Sequence, residues 1–305
     1  MWNAIAIGVG AGNPGIYAPA PYVGLLDLFP NAAAAYSLHK LRSDYTGSAI
    51  QVRRSSDNNV LDIGFTALGD LDTTALTAFC GAGNGFVTTW YEQSGNSRNA
   101  TQPIAENQPQ IVNAGSLITL NSKSSMLYTG NTGMGLTFNS FAGSVSYSIS
   151  SVFSAVEAVQ FTKLLSIGPD DPTNGVWYTV NTGNTALSWV DNDTGFAGNG
   201  YNNPTGPTII SNGRIIPSSI TTQNLLMSVL SPSNAKMFRN GSEISYRVQR
   251  SGACYITPGN LILGNSPNNL NAFNGMMQEI VIWQTDQNSN IAGINNSLNS
   301  YYSAY

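Results

Sequence analysis

Short strand-like segments separated by turns make up most of the chain after Gln102, and this pattern restricts the fold more than any other feature. Runs rich in β-branched and aromatic residues recur at intervals of about 8 to 15 residues, among them Leu225–Leu230, Ala235–Arg239 and Gly275–Trp283. The pair Asn240-Gly241 has the composition of a type I′ hairpin turn. This spacing predicts an all-β jelly-roll or β-sandwich fold.

Three short helices are predicted beside the strands. Asn31 could cap a helix over Asn31–Arg42, and His39 on that helix is predicted to face solvent. Asp72 is predicted to cap a second helix, Thr73–Phe79, and residues Asn288–Tyr301 show helical spacing of apolar side chains. We therefore predict one continuous domain over residues 31–305, with a helix-containing part (31–115) and a main sandwich with a C-terminal helix (116–305).

Residues 1–30 form a segment of unusual composition. The first charged residue is Asp27, and glycines and prolines interrupt the apolar residues, so the segment lacks the basic start and unbroken apolar core of a secretory signal. We interpret it as an extended arm of the mature protein that docks on a partner or a neighbouring subunit, with a floppy terminus as the alternative. Its apolar side chains would otherwise be exposed. The candidate docking residues are Ile5, Ile7, Val9, Ile16, Tyr17, Tyr22 and Val23.

Charged residues are scarce, and this excludes some partners. They make up 9% of the chain, whereas about a quarter is usual. A surface rich in uncharged hydroxyl and amide groups is common in extracellular and virion proteins, and it suits hydrogen bonding to sugars. The net charge is −4 and the only basic pair is Arg53-Arg54, so nucleic-acid binding is not expected. Insertion into a membrane would need about 20 consecutive apolar residues, which the chain lacks.

Neither cysteines nor acidic clusters indicate a cofactor. Cys80 and Cys254 could form one disulfide or remain two buried thiols, and no Cys/His spacing suggests zinc. The hard oxygen ligands of Asp191-Asn192-Asp193, joined by Asp170 and Asp171, could hold Ca²⁺. Because the spacing of a calcium loop is missing, a turn explains these residues better, and no cofactor is predicted.

The segment Phe86–Gln102 joins a predicted buried strand to a polar loop. Phe86–Tyr91 are all aromatic or β-branched, and Ser94–Ser97 form a turn cluster. Glu92 lies between the two, where a cleft position is conceivable. The interpretation that we favour is hydrogen bonding of its carboxylate to nearby backbone.

Aromatic and amide side chains that could bind a carbohydrate occur together between residues 177 and 203. Aromatic faces suit the apolar side of a pyranose ring, and amides suit its hydroxyl groups. The alternative for the two tryptophans is a place in the core of paired strands. The candidate carbohydrate-binding residues are Trp177, Tyr178, Trp189, Asn192, Tyr201, Asn202 and Asn203.

Three segments of the N-terminal part carry a family resemblance. They read AAAAYSLHKLRSDYTGSAIQVRRSSDNNVLDIGF, GDLDTTALTAFCGAGNGFVTTWYEQSGNSRNATQ and AENQPQIVNAG. These segments resemble a domain of many phage structural proteins, and a related arrangement opens the catalytic domain of the α-L-arabinofuranosidase B family. The later AFNGMMQEIVIW and the terminal helix resemble the concanavalin A-like/LamG sandwich. In that fold, Glu279 is implied to be structural. The resemblance covers about residues 27–305, and the fold that it implies hosts lectins, hydrolases and structural modules alike.

The resemblance also implies where catalytic carboxylates would lie. The arabinofuranosidase family carries an Asp in a segment that matches Leu263–Pro267, and a Glu in a segment near Trp177–Leu187. Both stretches are free of acids in this chain, although glycoside hydrolysis needs a pair of carboxylates. The resemblance therefore predicts a binding fold without its catalytic pair.

We expect from these observations a phage virion surface protein rather than an enzyme. It would be a capsid decoration or tail appendage, exposed on the virion surface, that docks on other virion proteins through its arm. It would form a homo-oligomer and adhere to host or environmental glycans through its sandwich loops. The alternatives are an arabinofuranosidase-like glycoside hydrolase and a purely structural decoration or fibre protein.

Overall fold

The computed structural model describes the chain from residue 21 onward with several gaps. The side chains of the strands within 176–190 are not part of this description. The described residues are 21–130, 135–142, 144, 146–155, 162–168, 176–181, 186–190, 221–231, 235–243, 259–265 and 272–305.

The first of two antiparallel sheets is built around β20 (Asn274–Trp283), which lies near the C-terminal end of the sequence. The other strands of this sheet are β1 (Ala34–Ser37), β10 (Met126–Thr129), β12 (Tyr147–Ala155), β16 (Asn224–Leu230), β17 (Ala235–Arg239) and β18 (Ser242–Glu243). On one side, β20 pairs with β12, and β16, β17 and β18 follow in that order. On its other side, β1 and β10 lie end to end along β20.

The second sheet is built from the strands β2 (Ile50–Arg54), β3 (Val60–Ile63), β4 (Gly85–Trp90), β5 (Ala100–Thr101), β6 (Gln110–Asn113), β7 (Ser116–Leu117), β11 (Leu136–Phe141), β13 (Thr162–Ile167), β14 (Val176–Asn181), β15 (Ala186–Val190) and β19 (Gly259–Leu263), with a separate hairpin of β8 (Thr119–Leu120) and β9 (Lys123–Ser124). Its strand order is β3–β2–β4–β5–β11–β19–β13–β14–β15. Two more strands, β6 and β7, continue from β4, and β6 also meets β10 of the first sheet.

Two layers of apolar side chains hold the sheets together and cover them. The larger core lies between the sheets, where Tyr36 and Ile149 of the first sheet meet Val87 and Leu165 of the second. The other core lies on the outer face of the first sheet, where Val281 and the side chains around it pack under the C-terminal helix. Alternation of in- and outward-facing side chains along β20 supplies both cores. The predicted all-β sandwich with a few short helices is confirmed.

Residues 31–42 do not form the predicted helix. Ala34–Ser37 instead form β1, which pairs along β20 with Ala34 opposite Ile282 and Ser37 opposite Glu279. All four residues of β1 are buried. A run of alanines has strong helix propensity, but small side chains also fit a strand that is covered on both faces, so tertiary pairing overrides the local preference.

The helices that the structure does contain are α1 (Leu25–Leu28), α2 (Thr73–Cys80) and α3 (Ile291–Tyr302), with short 3₁₀ turns at Ala105–Asn107 and Asn288–Asn290. The Asp72 side chain accepts a hydrogen bond from the Ala75 amide at 2.9 Å, which confirms the predicted cap of α2. The α1 segment belongs to the last third of the predicted arm. Leu25 and Leu26 are buried in the outer core, so these residues pack on the sandwich. Residues 1–20 lie outside the described residues, and their docking role stays a prediction.

The predicted hairpin turn at Asn240-Gly241 is confirmed. Asn240 has φ 48° and Gly241 has φ 75°, which are the two positive values that a type I′ turn requires. The turn joins β17 to β18 with Arg239 opposite Ser242. The Asn240 side chain also accepts a hydrogen bond from the Leu225 amide at 2.9 Å, which ties the turn to β16.

We expect Gly275→Ala to destabilise the protein by about 3 kcal/mol, because β20 has no space for a side chain at this position. Gly275 has φ 156°, and a Cβ atom would lie 2.1 Å from the Ser154 carbonyl oxygen. Urea unfolding measures the loss. The control is Gly64→Ala, where a Cβ would meet no atom within 4 Å. Equal stability of the two variants would contradict the prediction.

Candidate functional site

The Glu92 carboxylate organises the turn that follows β4. Its Oε1 accepts hydrogen bonds from the Ala35 amide at 3.0 Å and from the Ser94 amide at 2.5 Å, and its Oε2 accepts one from the Asn96 amide at 3.0 Å. The side chain is buried. This confirms the predicted role of Glu92 in backbone hydrogen bonding and leaves its carboxylate fully engaged.

Neighbouring side chains fasten the same turn to β1. Gln93 donates to the carbonyl oxygens of Ser37 and His39 and accepts from the Leu41 amide. The side-chain amide of Asn96 donates to the Ala32 and Ala33 carbonyl oxygens. The polar segment after β4 is therefore a structural joint between the two sheets, because its side chains satisfy backbone groups of the other sheet's edge.

A shallow cleft of about 360 Å³ lies beside this joint and is lined by Tyr45, Asp62, Tyr91 and Asn99 among others. The Tyr91 hydroxyl donates to the Asp62 carboxylate at 2.9 Å. Desolvation, followed by the hydrogen bond and the charge of Asp62, raises the pKa of Tyr91 to about 12. Asp62 is exposed and Glu92, the other acid at this cleft, is committed to the turn. Asp62 is thus the one exposed carboxylate that lines this cleft, and the cleft does not hold a catalytic pair.

A second buried polar cluster lies under the C-terminal helix and is centred on Glu279. The Oε2 atom of Glu279 accepts hydrogen bonds from the Ser37 hydroxyl at 2.8 Å and from the Tyr302 hydroxyl at 2.9 Å, and it lies 3.3 Å from Nδ1 of His39. Glu279, Ser37 and Tyr302 are almost completely buried. Serine, histidine and glutamate meet at this point, but the Ser37 hydroxyl donates to the carboxylate and is closed off from any substrate. The cluster is structural.

The prediction that His39 faces solvent is wrong. The residue is 8% exposed, and its ring stacks on Tyr301 with the ring centroids 3.9 Å apart. The Tyr301 hydroxyl donates to Asp70 at 2.7 Å, and Lys123 lies over the same ring. His39 lies beyond the end of β1 rather than on a helix, so that its side chain enters the space between the first sheet and α3.

The end of β19 is where the family resemblance places a catalytic carboxylate. Asn265 is described there, and its exposed fraction is 1%. Its carbonyl oxygen accepts a hydrogen bond from the Ser166 hydroxyl at 2.7 Å, which ties this end of β19 to β13. Ser266 and Pro267 lie outside the described residues.

The predicted carbohydrate-binding residues fall on β14 and β15 or beyond them. Tyr178 and Trp189 are register partners across these strands, and Trp177 is opposite Val190. Asn192, Tyr201, Asn202 and Asn203 lie outside the described residues, as do the calcium candidates Asp170, Asp171, Asp191 and Asp193. The carbohydrate site at these positions stays a prediction. Within the described ranges, no group of three or more His, Cys, Asp or Glu side chains could hold a metal ion.

Of the predicted docking residues, Tyr22 and Val23 are described, and Val23 is exposed. Ile5, Ile7, Val9, Ile16 and Tyr17 lie outside the described residues. The Tyr22 hydroxyl donates to the Lys40 carbonyl oxygen, and its ring lies under Gly69.

Cys80 is a free, buried thiol whose pKa is raised by burial. No helix in the described ranges is long and apolar enough to cross a membrane.

Most carboxylates among the described residues already accept hydrogen bonds from elsewhere in the chain. The Asp57 carboxylate, for example, accepts a hydrogen bond from the Arg54 guanidinium at 2.6 Å. That hydrogen bond is the largest cause that lowers the pKa of Asp57 to about 2. Such acids have structural reasons for their positions. They are Asp27, Asp44, Asp57, Asp62, Asp70, Asp72, Glu92, Glu279 and Asp286.

Comparison with known proteins identifies a glycoside hydrolase family that resembles part of this sandwich. The family model "Alpha-L-arabinofuranosidase B, catalytic" matches residues 28–152, which is less than half of the chain. A probable α-L-arabinofuranosidase B of Aspergillus flavus and the α-L-arabinofuranosidase B of Aspergillus oryzae are each 33% identical to it over 104 residues. That alignment covers 31% of this chain and 21% of each relative, so only a small part of those proteins is matched.

The fold likeness extends further than the sequence likeness. An arabinofuranosidase solved with arabinofuranosyl-α-1,2-xylobiose has a TM-score of 0.65 and 19% identity, and a GH54 α-L-arabinofuranosidase solved with a cyclic sulfate inhibitor has a TM-score of 0.65 and 18% identity. Each alignment covers 88% of this chain and 62% of the solved one. At this identity the likeness shows the shared fold.

These findings correct the functional expectation from sequence. The matched family model describes a catalytic domain, and none of the matches reported above is a virion protein. The prediction of a phage virion surface protein that acts as a capsid decoration, tail fibre or host adhesin is therefore wrong, and so is the prediction that the chain is not an enzyme.

Proposed function

We propose that the chain is the catalytic sandwich of an arabinofuranosidase-like glycoside hydrolase, which releases terminal α-L-arabinofuranosyl groups. The observation that carries the proposal is the match of residues 28–152 to the arabinofuranosidase B catalytic model. The matched range includes β1 to β11, most of β12 and the Glu92 joint, and the fold likeness to an arabinofuranosidase covers 88% of the chain.

The reaction needs two carboxylates on either side of the glycosidic bond, about 5 to 9 Å apart. The chain has 16 acids, and most of those in the described ranges are engaged in structural hydrogen bonds. Two of the other acids, Glu106 and Glu243, are exposed on separate elements, the 3₁₀ turn Ala105–Asn107 and β18. The remaining five are close together in sequence, between the end of β12 and the residues after β15. They are Glu157, Asp170, Asp171, Asp191 and Asp193.

The register of the second sheet favours two of these groups. Ile167 of β13 pairs with Val176, and Val190 of β15 pairs with the adjacent Trp177. The chain therefore leaves β13 and β15 at the same end of the sheet. Asp170 and Asp171 follow the first exit and Asp191 and Asp193 follow the second, so we propose that one acid from each group forms the catalytic pair.

The experiment is hydrolysis of 4-nitrophenyl α-L-arabinofuranoside by the purified chain and by single Asp→Asn or Glu→Gln variants of these five acids. We expect 4-nitrophenol release, and we expect two of the variants to lose at least about 100-fold in kcat/KM, because each acid or base contributes about 10²–10⁴. The control Asp57→Asn removes an exposed acid that is paired with Arg54. Its activity should equal that of the parent chain. A folded chain without activity on any α-L-arabinofuranoside would contradict the proposal.

A further inference from the structure

The strand β3 forms one edge of the second sheet. It pairs with β2 on one side, and no strand within the described ranges lies on its other side. Three of its four residues are exposed, and two of these, Val60 and Leu61, are apolar. Natural sheets protect such edges with lysine, proline or a bulge, or cover them with another segment. Because β3 contains no lysine or proline and pairs without a bulge, its edge is expected to be covered.

The backbone of β3 presents hydrogen-bonding groups on this outer side. The Arg54 amide donates to the Asn59 carbonyl oxygen at 3.0 Å, so these two residues form a hydrogen-bonded pair at the start of the β2–β3 ladder. Hydrogen-bonded and non-hydrogen-bonded pairs alternate along an antiparallel ladder. Val60 and Asp62 therefore belong to the pairs whose N–H and C=O groups point away from β2. These groups are positioned to pair with an added strand.

Exposed apolar side chains connect this edge to the point where the described part of the chain begins. Leu68, which is 78% exposed, lies in the turn that follows β3, and Val23 is also exposed. The Tyr22 ring lies under Gly69, the neighbour of Leu68, and so joins the start of the described chain to this turn. We call the set of Val23, Val60, Leu61 and Leu68 the apolar track. It contains four of the seven large apolar side chains that are exposed within the described ranges.

Residues 4–9 have the sequence pattern of a strand that could add to this edge. The β-branched residues Ile5, Ile7 and Val9 alternate with alanine and glycine, and this period of two places them on one face of a strand. The first proline of the chain is Pro14, so each backbone N–H of this segment can donate to a ladder. The segment has no charged residue, and pairing it with β3 therefore buries no charge.

Residues 10–21 are long enough to bring this segment to β3 of the same chain. Half of them are glycine or proline, a composition typical of linkers. Twelve residues span up to about 40 Å when extended, whereas the strand length from the turn at Gly69 back to Val60 is about 20 to 30 Å. A tether of this length gives an effective concentration of the order of millimolar. Pairing within one chain is therefore favoured over pairing with a second molecule.

We propose that residues 4–9 add to the outer edge of β3 as a further strand of the second sheet in the same chain. The backbone groups of Val60 and Asp62 pair with this strand, and its β-branched side chains pack against the apolar track. The N-terminal arm is then an intramolecular strap rather than a contact for another protein. The inference does not depend on the proposed hydrolase activity.

The test is amide hydrogen exchange of the full chain, resolved by residue with NMR. We expect the amides of Val60 and Asp62 to be protected in the parent chain and to exchange at least about tenfold faster in Ile7→Pro, because proline removes a ladder donor from the added strand. The amides of β20 should keep their protection in this variant, which shows that the sandwich remains folded. The matched control Gly12→Pro places the same residue in the linker and should exchange as the parent chain does.

The outcomes decide between a strap, an open edge and a contact between molecules. Unprotected amides at Val60 and Asp62 in the parent chain would overturn the proposal, and so would equal protection in the parent chain and in Ile7→Pro. Protection that disappears on dilution, together with a dimeric mass in light scattering, would show pairing between two molecules and would also overturn it. Protection that persists in a monomer and is lost only in Ile7→Pro would support the strap.

Discussion

Glu279→Ala is expected to destabilise the protein by about 3 to 5 kcal/mol, the range found when one partner of a buried charged cluster is removed. The Ser37 and Tyr302 hydroxyls both donate to this carboxylate, and His39 lies 3.3 Å from it. Alanine would leave these three polar groups buried without their acceptor and would open a cavity under α3. Denaturant unfolding monitored by circular dichroism measures the loss.

Two further variants show whether the loss of stability comes from the Glu279 carboxylate in its buried cluster. Glu279→Gln keeps the volume and one acceptor oxygen, so we expect a loss of about 1 to 2 kcal/mol. Glu106→Ala removes an exposed acid from a 3₁₀ turn, and its effect should stay within about 0.5 kcal/mol. If Glu279→Ala proved as stable as Glu106→Ala, the cluster would contribute nothing to the stability of the fold.

Stability is expected to fall steeply above about pH 10, where tyrosine ionises in the unfolded chain. Burial is the main cause that raises the pKa of both Tyr128 and Tyr302, and the charge of Glu279 raises the pKa of Tyr302 further. Because the folded state keeps these protons, their contribution is complete below pH 10 and is lost as the pH rises toward their folded pKa values. Each tyrosine then removes about 1.4 kcal/mol per pH unit, or about 3 kcal/mol per unit together.

Tyr128→Phe is the variant that tests this pH dependence. The Tyr128 hydroxyl is buried and has no hydrogen-bond partner among the described residues, so its removal should cost little at neutral pH. The slope of unfolding free energy against pH above 10 should become shallower by about 1.4 kcal/mol per unit. An unchanged slope would show that Tyr128 does not resist ionisation in the folded protein.

The sequence correctly predicted those elements whose structure depends on residues that are neighbours in the chain. The cap at Asp72, the turn at Asn240-Gly241 and the strands around them follow from the hydrogen bonds and backbone angles that these residues prefer. The alanines of β1 were mistaken for a helix because their state is decided by β20, which lies about 240 residues further along the chain. No local pattern reports that pairing.

The candidate sites were harder to predict than the fold, because most of their contacts join residues that are far apart in the sequence. The backbone role of Glu92 could be predicted, since its partners Ser94 and Asn96 are close in sequence. The burial of His39 could not, because Glu279, Tyr301 and Tyr302 approach it from the opposite end of the chain. Function was missed because one sandwich fold serves adhesins, hydrolases and structural proteins.

The central position of β20 has a consequence for the biosynthesis of the protein. β20 hydrogen-bonds to β1, β10 and β12, so the first sheet cannot close until residues 274–283 have left the ribosome. Until then the buried edge of β1 is unpaired, and such edges promote aggregation. The high contact order of this topology implies slow refolding, on the millisecond-to-second scale or longer. A nascent chain truncated before β20 should therefore bind chaperones and remain sensitive to protease at β1 and β10, which lie along β20 in the folded sheet.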